Sequence, residues 1–115
     1  GSFVSVDAPF APTTRRFENG RLMAGPGCTT RPECADIKTQ PSPTRPSLTS
    51  RLVAVDEEMG VAWYRLAWDR PKDPSGDLQM VVWEAFKVYD GKMQAVEAFL
   101  RLAPKSVGSG WEQRK

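Results

Sequence analysis

Residues 81–100 read VVWEAFKVYDGKMQAVEAFL, two runs of alternating residues on either side of Asp90-Gly91. An Asp-Gly pair in this position predicts a β-hairpin with a two-residue turn, because both central turn positions need positive φ. Counting outward from the turn then gives the register of the hairpin. The predicted pairs are Tyr89 with Lys92, Val88 with Met93, Phe86 with Ala95, Glu84 with Glu97 and Val82 with Phe99. The hairpin is therefore expected to place two carboxylates, Glu84 and Glu97, side by side on an apolar face.

The predicted carboxylate pair needs compensation. Its Cβ atoms would lie about 5 Å apart, and two ionised groups at that distance repel by about 3 kcal/mol at an effective dielectric near 20. Either one carboxyl stays protonated, which suits general acid or base catalysis, or an arginine bridges the pair as a structural clamp. Arg51 and Arg65 are the available bridges. A bulge in the hairpin would instead move Glu97 to the opposite face.

Size and charge exclude several classes of protein. The chain has 115 residues, which suits one domain with one core. Its 16 basic and 14 acidic residues give a net charge of +2 without long runs of either sign, so no nucleic-acid partner is expected. No apolar stretch is long enough to span a membrane, which predicts a soluble protein. Gly1-Ser2 is typical of a remnant of tag removal, so export stays open, although a cytoplasmic location is slightly favoured.

The side chains that most catalytic and metal sites require are scarce. The chain has no histidine, which excludes Ser-His-Asp and Cys-His nucleophile machinery within it. Two cysteines without histidine do not favour a metal site, and we expect no cofactor. Cys28 and Cys34 either form a small disulfide in an oxidising compartment or remain thiols in a reducing one. A local ion pair near a turn is expected among Arg15, Arg16 and Glu18.

The N-terminal third is rich in turns. Residues 1–12 are predicted to be an extended arm interrupted by prolines, and Asn19-Gly20 predicts a tight turn between short strands within residues 13–24. A short helix is expected over Pro32–Gln40 because proline suits a first helical turn. Residues 41–46 then form a proline-rich connector.

The remainder reads as a sheet. Four runs rich in β-branched and aromatic residues predict a four-stranded antiparallel meander over residues 48–104. Its strands are expected at Ser50–Asp56, Val61–Trp68, Leu78–Tyr89 and Met93–Leu102. Residues 105–115 are a tail in which Trp111 is expected to pack back onto the sheet. Since a sheet of this size needs a covered face, either another chain covers it or it is partly exposed.

Several segments together resemble a known family. They are RFENG at residues 16–20, VDEEMGV at 55–61, WEAFKVYDGKMQAVEAF at 83–99 and SGW at 109–111. Over about residues 13–111 the chain is similar to the C-terminal half of SnoaL-like proteins of the nuclear transport factor 2 superfamily. The resemblance implies an α+β fold in which a strongly bent antiparallel sheet wraps around helices and encloses a ligand cavity. The usual N-terminal helices would be missing, and the open sheet favours a homodimer.

The expected function is binding of an apolar small molecule on the concave face of the sheet by a homodimer. Glu84 and Glu97 are the candidate catalytic residues. The candidate ligand-binding residues are Tyr64, Trp68, Phe86, Phe99, Arg51 and Arg65. Tyr64 would add a polar tip to an apolar pocket if it shares the face of Glu84. The alternatives are a non-catalytic assembly module and a carboxylate-dependent isomerase, hydratase or cyclase, and whether the chain is an enzyme stays open.

Overall fold

The chain forms one six-stranded sheet. The computed structural model describes residues 8–39, 47–70 and 72–108. In chain order the strands are β1 (Phe10–Glu18), β2 (Arg21–Ala24), β3 (Thr49–Asp56), β4 (Val61–Asp69), β5 (Leu78–Tyr89) and β6 (Lys92–Pro104). Their order across the sheet is β2-β1-β6-β5-β4-β3. The predicted antiparallel meander corresponds to β3 to β6, and the turn at Asn19-Gly20 joins β1 to β2.

The predicted α+β cone is wrong. The described residues form a nearly all-β structure without an α-helix, and the sheet is mixed because β1 runs parallel to β6. Strand β1 begins at Phe10, inside the predicted extended arm, and residues 1–7 lie outside the described ranges. The parallel pairing was missed because its partner strand is remote in sequence, so no local pattern reports it. Pro12 fits β1 because the register with β6 is irregular between Phe10 and Arg15.

Both predicted tight turns are confirmed by their backbone angles. Asn19 and Gly20 have φ values of 49° and 79°, and Asp90 and Gly91 have 51° and 66°. Positive φ at both central residues is the conformation that Asn-Gly and Asp-Gly adopt at low cost.

The predicted helix over Pro32–Gln40 is wrong. Only Ile37–Thr39 forms a short 3-10 helix, because Glu33 has a φ of 63°, which interrupts a right-handed helix. A disulfide joins Cys28 and Cys34 with a Cα–Cα distance of 5.6 Å, which answers the question left open by the sequence. Gln40 and the connector 41–46 lie outside the described ranges.

One further short helix completes the described elements. Lys105–Val107 forms a 3-10 helix directly after β6. No helix in residues 8–39, 47–70 and 72–108 is long and apolar enough to cross a membrane. The predicted packing of Trp111 concerns a residue outside those ranges.

A bulge changes the register of the central hairpin. Tyr89 pairs with Lys92 and Val88 with Met93 as predicted, but Lys87 pairs with Ala95, so Gln94 is an extra residue on β6. The register is shifted by one residue from there on. Glu84 therefore lies opposite Ala98, and Glu97 lies opposite Ala85. The predicted pairs Phe86–Ala95, Glu84–Glu97 and Val82–Phe99 are wrong.

The sheet has two distinct faces. The Glu84 face carries Tyr64, Leu66 and Trp68 of β4, Met80, Val82, Glu84 and Phe86 of β5, and Val96, Ala98 and Leu100 of β6. The Trp83 face carries the alternate residues, including Trp63, Arg65, Trp83, Glu97 and Phe99. The core lies on the Glu84 face. It is formed by Leu66, Val82 and Ala98, which Tyr64, Trp68, Met80 and Leu100 surround.

Candidate ligand pocket

A cavity of about 470 Å³ opens on the Glu84 face. The described residues that line it are Leu48, Ser50, Ala62, Tyr64, Leu66, Glu84, Phe86, Val88 and Met93. Strands β3 to β6 and the residue preceding β3 contribute these side chains, because alternate residues of a strand point to the same face. The result is a mainly apolar wall that includes one carboxylate.

Glu84 is buried at the wall of this cavity. Glu84 is 1% exposed. Its Oε1 atom accepts hydrogen bonds from Nη2 and Nε of Arg16 at 3.1 and 3.3 Å. Cross-strand pairing places Glu84 in one row with Tyr64 on β4, Ala98 on β6 and Glu18 on β1. Burial of a charge in an apolar setting is costly without a charged partner, and Arg16 is such a partner for Glu84.

Arg16 reaches Glu84 from two strands away. Strands β1 and β5 are separated by β6, hence by about 10 Å at the usual spacing between neighbouring strands. Ala98 of β6 lies between these strands and is fully buried. Its small side chain leaves room for the Arg16 side chain to cross β6. Nη1 of Arg16 also bonds to Glu18, which is two residues further along β1 and on the same face. One guanidinium therefore serves two carboxylates, a buried one and a partly exposed one.

Two aromatic rings stand beside the carboxylate. Tyr64, the cross-strand neighbour of Glu84, packs edge to face against Phe86, with ring centroids 5.6 Å apart and planes at 88°. This geometry is the favourable one for paired aromatic rings. The pocket thus combines aromatic surface, a phenolic hydroxyl and an ion-paired carboxylate.

The structure brings together only part of the predicted site. Tyr64 and Phe86 line the cavity with Glu84, and Tyr64 meets the condition set above because it shares the face of Glu84. Trp68 lies on this face but packs against the core. The Trp83 face carries the other predicted residues, which are Glu97, Phe99, Arg51 and Arg65. Placing these four in one site with Glu84 was wrong, and the cause for Glu97 and Phe99 is the bulge at Gln94.

The arginines expected to bridge the carboxylates lie on the Trp83 face. The Arg65 guanidinium lies over the ring of Trp83, 5.1 Å from its centroid. Burial and, to a smaller extent, the positive charge of Arg101 lower the pKa of Arg65 below its ordinary value. Arg51 pairs with Arg65 across β3 and β4 and therefore shares its face. Neither side chain can compensate Glu84 through the sheet.

Sequence reasoning missed the role of Arg16. The local ion pair with Glu18 was predicted and is present, but the bond to Glu84 spans 68 positions of the chain. The sequence did contain a signal. Arg16 and Glu18 are two residues apart, so they lie on one face of a strand that ends at a predicted turn. The signal did not say which strand β1 would pair with, so the third partner could not be found.

The described residues do not converge as a metal site. Within residues 8–39, 47–70 and 72–108, no three His, Cys, Asp or Glu side chains are grouped as ligands of one ion would be. The polar chemistry of the cavity is therefore that of Glu84, Tyr64 and Ser50.

Comparisons with known proteins identify a family. No curated protein matches the chain, and no solved structure matches it. The resemblance to SnoaL-like proteins thus stays a prediction, while the cone-shaped fold it implied is wrong. A family model described as "Domain of unknown function (DUF8021)" matches residues 2–100. The match covers most of the chain, including every described residue that lines the cavity, so the chain belongs to the DUF8021 family.

Proposed function

We propose that this chain is a small-molecule-binding protein that takes a mainly apolar ligand into the cavity on its Glu84 face. The observation that carries the proposal is one cavity that combines an apolar wall with a buried carboxylate. Ligand sites are typically concave and mainly apolar, with volumes of about 300–1,000 Å³ and a few placed polar groups. The cavity of about 470 Å³ fits this description.

The ion pair beside the cavity supports a role in binding. Replacing a buried ion pair by apolar residues of similar volume is often neutral or stabilising, so stability alone is a poor reason to keep one. An apolar residue in place of Glu84 would extend the core that Leu66, Val82 and Ala98 form on the same face. A carboxylate fixed by Arg16 at the wall of an apolar cavity can instead orient a polar group of a ligand.

Catalysis by paired carboxylates lacks geometric support. Glu97 is exposed on the Trp83 face, so it cannot share a proton or a substrate with Glu84. An isomerase, hydratase or cyclase activity would have to use Glu84 alone, with Tyr64 as its nearest hydroxyl-bearing neighbour on β4. That role stays a prediction, and binding is the function proposed.

The proposal is tested by filling the mouth of the cavity. Ser50 is an exposed lining residue, so Ser50→Trp should place an indole in the opening without disturbing buried side chains. Naphthylmethanol is a suitable neutral apolar probe, measured by isothermal titration calorimetry. We expect the substitution to weaken its binding by at least about tenfold.

The matched control is the adjacent residue. Thr49 is also exposed on β3, and its side chain points to the other face because successive residues of a strand alternate. Thr49→Trp should leave binding of naphthylmethanol unchanged. Failure of the unmodified chain to bind naphthylmethanol and its charged analogues alike, or equal affinity for naphthylmethanol in Ser50→Trp, would contradict the proposal.

A second candidate function is homo-oligomeric assembly, favoured by the character of β3. This strand lies at one edge of the sheet and all eight of its residues are exposed. Leu52, Val53 and Val55 are 49%, 37% and 54% exposed. An exposed apolar edge strand is a template for pairing with another chain, and a second copy of this chain is the proposed partner.

A further inference from the structure

We infer that the cavity on the Glu84 face selects organic cations, in particular primary amines carried on an apolar body. This inference rests on the proposed function and names the chemical class of its ligand. Its first support is the charge around the cavity. Glu84 and Glu18 share the guanidinium of Arg16, so these three groups together carry one net negative charge.

The donors of Arg16 are directed at carboxylates. Nε and Nη2 donate to Glu84, and Nη1 bonds to Glu18. An anionic ligand would have to take these donors from Glu84, which is 1% exposed and would then be left as a desolvated charge. The ion-paired arrangement therefore opposes anions although it contains an arginine.

The side chains that line the cavity also favour a cation over an anion. Among the described lining residues Glu84 alone is charged, and Ser50 and Tyr64 are the other polar side chains. An ammonium group at this wall would meet a carboxylate and hydroxyl oxygens, all of which accept hydrogen bonds. Its apolar body would contact Leu66, Phe86 and the other apolar side chains of the wall.

The aromatic pair adds a second, independent attraction. Tyr64 and Phe86 stand at 88° to each other, so the two rings form a corner beside Glu84. A cation over the face of an aromatic ring is attracted by the ring quadrupole, and the attraction grows when the site excludes water. A neutral ligand of the same shape gains none of this.

The test is a series of three ligands that share one body and differ in charge. Naphthylmethylamine is a cation at neutral pH, naphthylmethanol is neutral, and naphthoate is an anion. Titration calorimetry on the full chain should give an affinity for the amine at least about tenfold higher than for the alcohol. Naphthoate should bind more weakly than the alcohol, and added salt should reduce the preference for the amine.

Two charge-neutralising variants show which carboxylate causes the preference for the amine over the alcohol. Glu84→Gln should make the affinities for amine and alcohol equal, whereas Glu97→Gln, on the Trp83 face, should leave their ratio unchanged. If Glu84→Gln does not fold, Glu18→Gln offers a milder reduction of the same charge, because Glu18 is partly exposed. The Glu18→Gln variant should lower the ratio of the affinity for the amine to the affinity for the alcohol.

The outcomes separate this inference from the proposed function. Equal affinities for amine and alcohol in the unmodified chain would overturn the cation preference while the pocket stands. Tightest binding of naphthoate would also overturn it, and would make Arg16 the group that recognises the ligand. If none of the three compounds binds, the proposed function fails together with the inference.

Discussion

The Glu84 carboxylate is a buried charge that depends on a partner from a remote part of the chain. Arg16 gives it two hydrogen bonds from a remote strand. Removing one partner of a buried ion pair is strongly destabilising, because the other charge stays desolvated without compensation. We therefore expect Arg16→Met to lower the free energy of unfolding by about 3 kcal/mol, measured by urea denaturation.

A double variant distinguishes loss of the pair from loss of packing. Arg16→Met combined with Glu84→Leu removes both charges and should recover most of the lost stability. Arg21→Met is the control, since Arg21 is exposed on β2 and should change stability by no more than about 0.5 kcal/mol. A double variant as unstable as Arg16→Met would contradict the assigned role of the ion pair.

At the same scale, the sequence identified some members of the pocket for sound reasons. Strict alternation along β4 predicts that Tyr64 and Leu66 share a face of that strand. Alternation along β5 likewise predicts that Glu84 and Phe86 share a face of theirs. Whether these two sets met depended on strand pairing, and they do meet. Arg16 was beyond reach because its bond to Glu84 follows from a parallel pairing that local alternation does not encode.

Among the elements, the β5–β6 hairpin shows how much a single residue can change. Its turn was predicted correctly from Asp90-Gly91, and so were its first two residue pairs. Gln94 then forms a bulge, and its side chain donates to the carbonyl of Tyr89 at 3.1 Å. Because the side-chain period of a strand is two, one extra residue moves every later side chain to the other face. For this reason Glu97 and Phe99 lie on the Trp83 face rather than in the predicted site.

The connection between β4 and β5 is organised by Asp73. Its Oδ2 atom accepts the N–H of Leu78 at 2.9 Å, and its Oδ1 atom accepts the N–H of Ser75 at 3.2 Å. The hydrogen bond from Leu78, with smaller contributions from Ser75, lowers the pKa of the Asp73 carboxyl below its usual range. The charged form is thus favoured in the folded state, which links the stability of this loop to pH.

Asp73→Ala tests this linkage. A lowered pKa contributes stability that is present above the unfolded value, about pH 4, and is lost as the pH falls through the folded value. The variant should melt at a lower temperature than the unmodified chain at neutral pH, and the difference should shrink as the pH falls below about 4. Thermal unfolding followed by circular dichroism over this range measures both.

Asp77→Ala is the matched control in the same loop. There the backbone carbonyl of Asp77, rather than its side chain, accepts the N–H of Lys105 at 2.8 Å. This substitution should lower the melting temperature less than Asp73→Ala at neutral pH. A difference for Asp73→Ala that stays constant across the acid range would contradict the linkage.

For the whole molecule, the exposed edge at β3 predicts self-association. We expect the chain to sediment as a dimer at micromolar concentration, because Leu52, Val53 and Val55 present apolar side chains on an edge whose backbone can pair. Val55→Lys should give a monomer, since a charged residue on an edge strand opposes pairing. Analytical ultracentrifugation measures the state of each form.

The control substitution places the same charge elsewhere. Val107 is as exposed as Val55, at 53%, and lies in the 3-10 helix after β6 rather than on the edge strand. Val107→Lys should leave the dimer intact. An unmodified chain that sediments only as a monomer at this concentration would contradict the assembly proposal and leave the pocket proposal untouched.

The disulfide is a further feature that only the folded molecule decides. The Cys28–Cys34 bond is the oxidised one of the two states that the sequence left open. The spacing of the two cysteines was compatible with both states, and only the fold of the segment between them brought the sulfurs together.

The sequence by itself determined the four strands of the meander and both tight turns. These features are local: alternation, β-branched residues and Asn-Gly or Asp-Gly pairs act over a few residues. Tertiary structure alone decided the parallel addition of β1 to β6, the bulge at Gln94 and the partnership of Arg16 with Glu84. Each of these depends on which distant backbone groups pair, and side-chain burial across the whole sheet, rather than any local preference, selects that pairing.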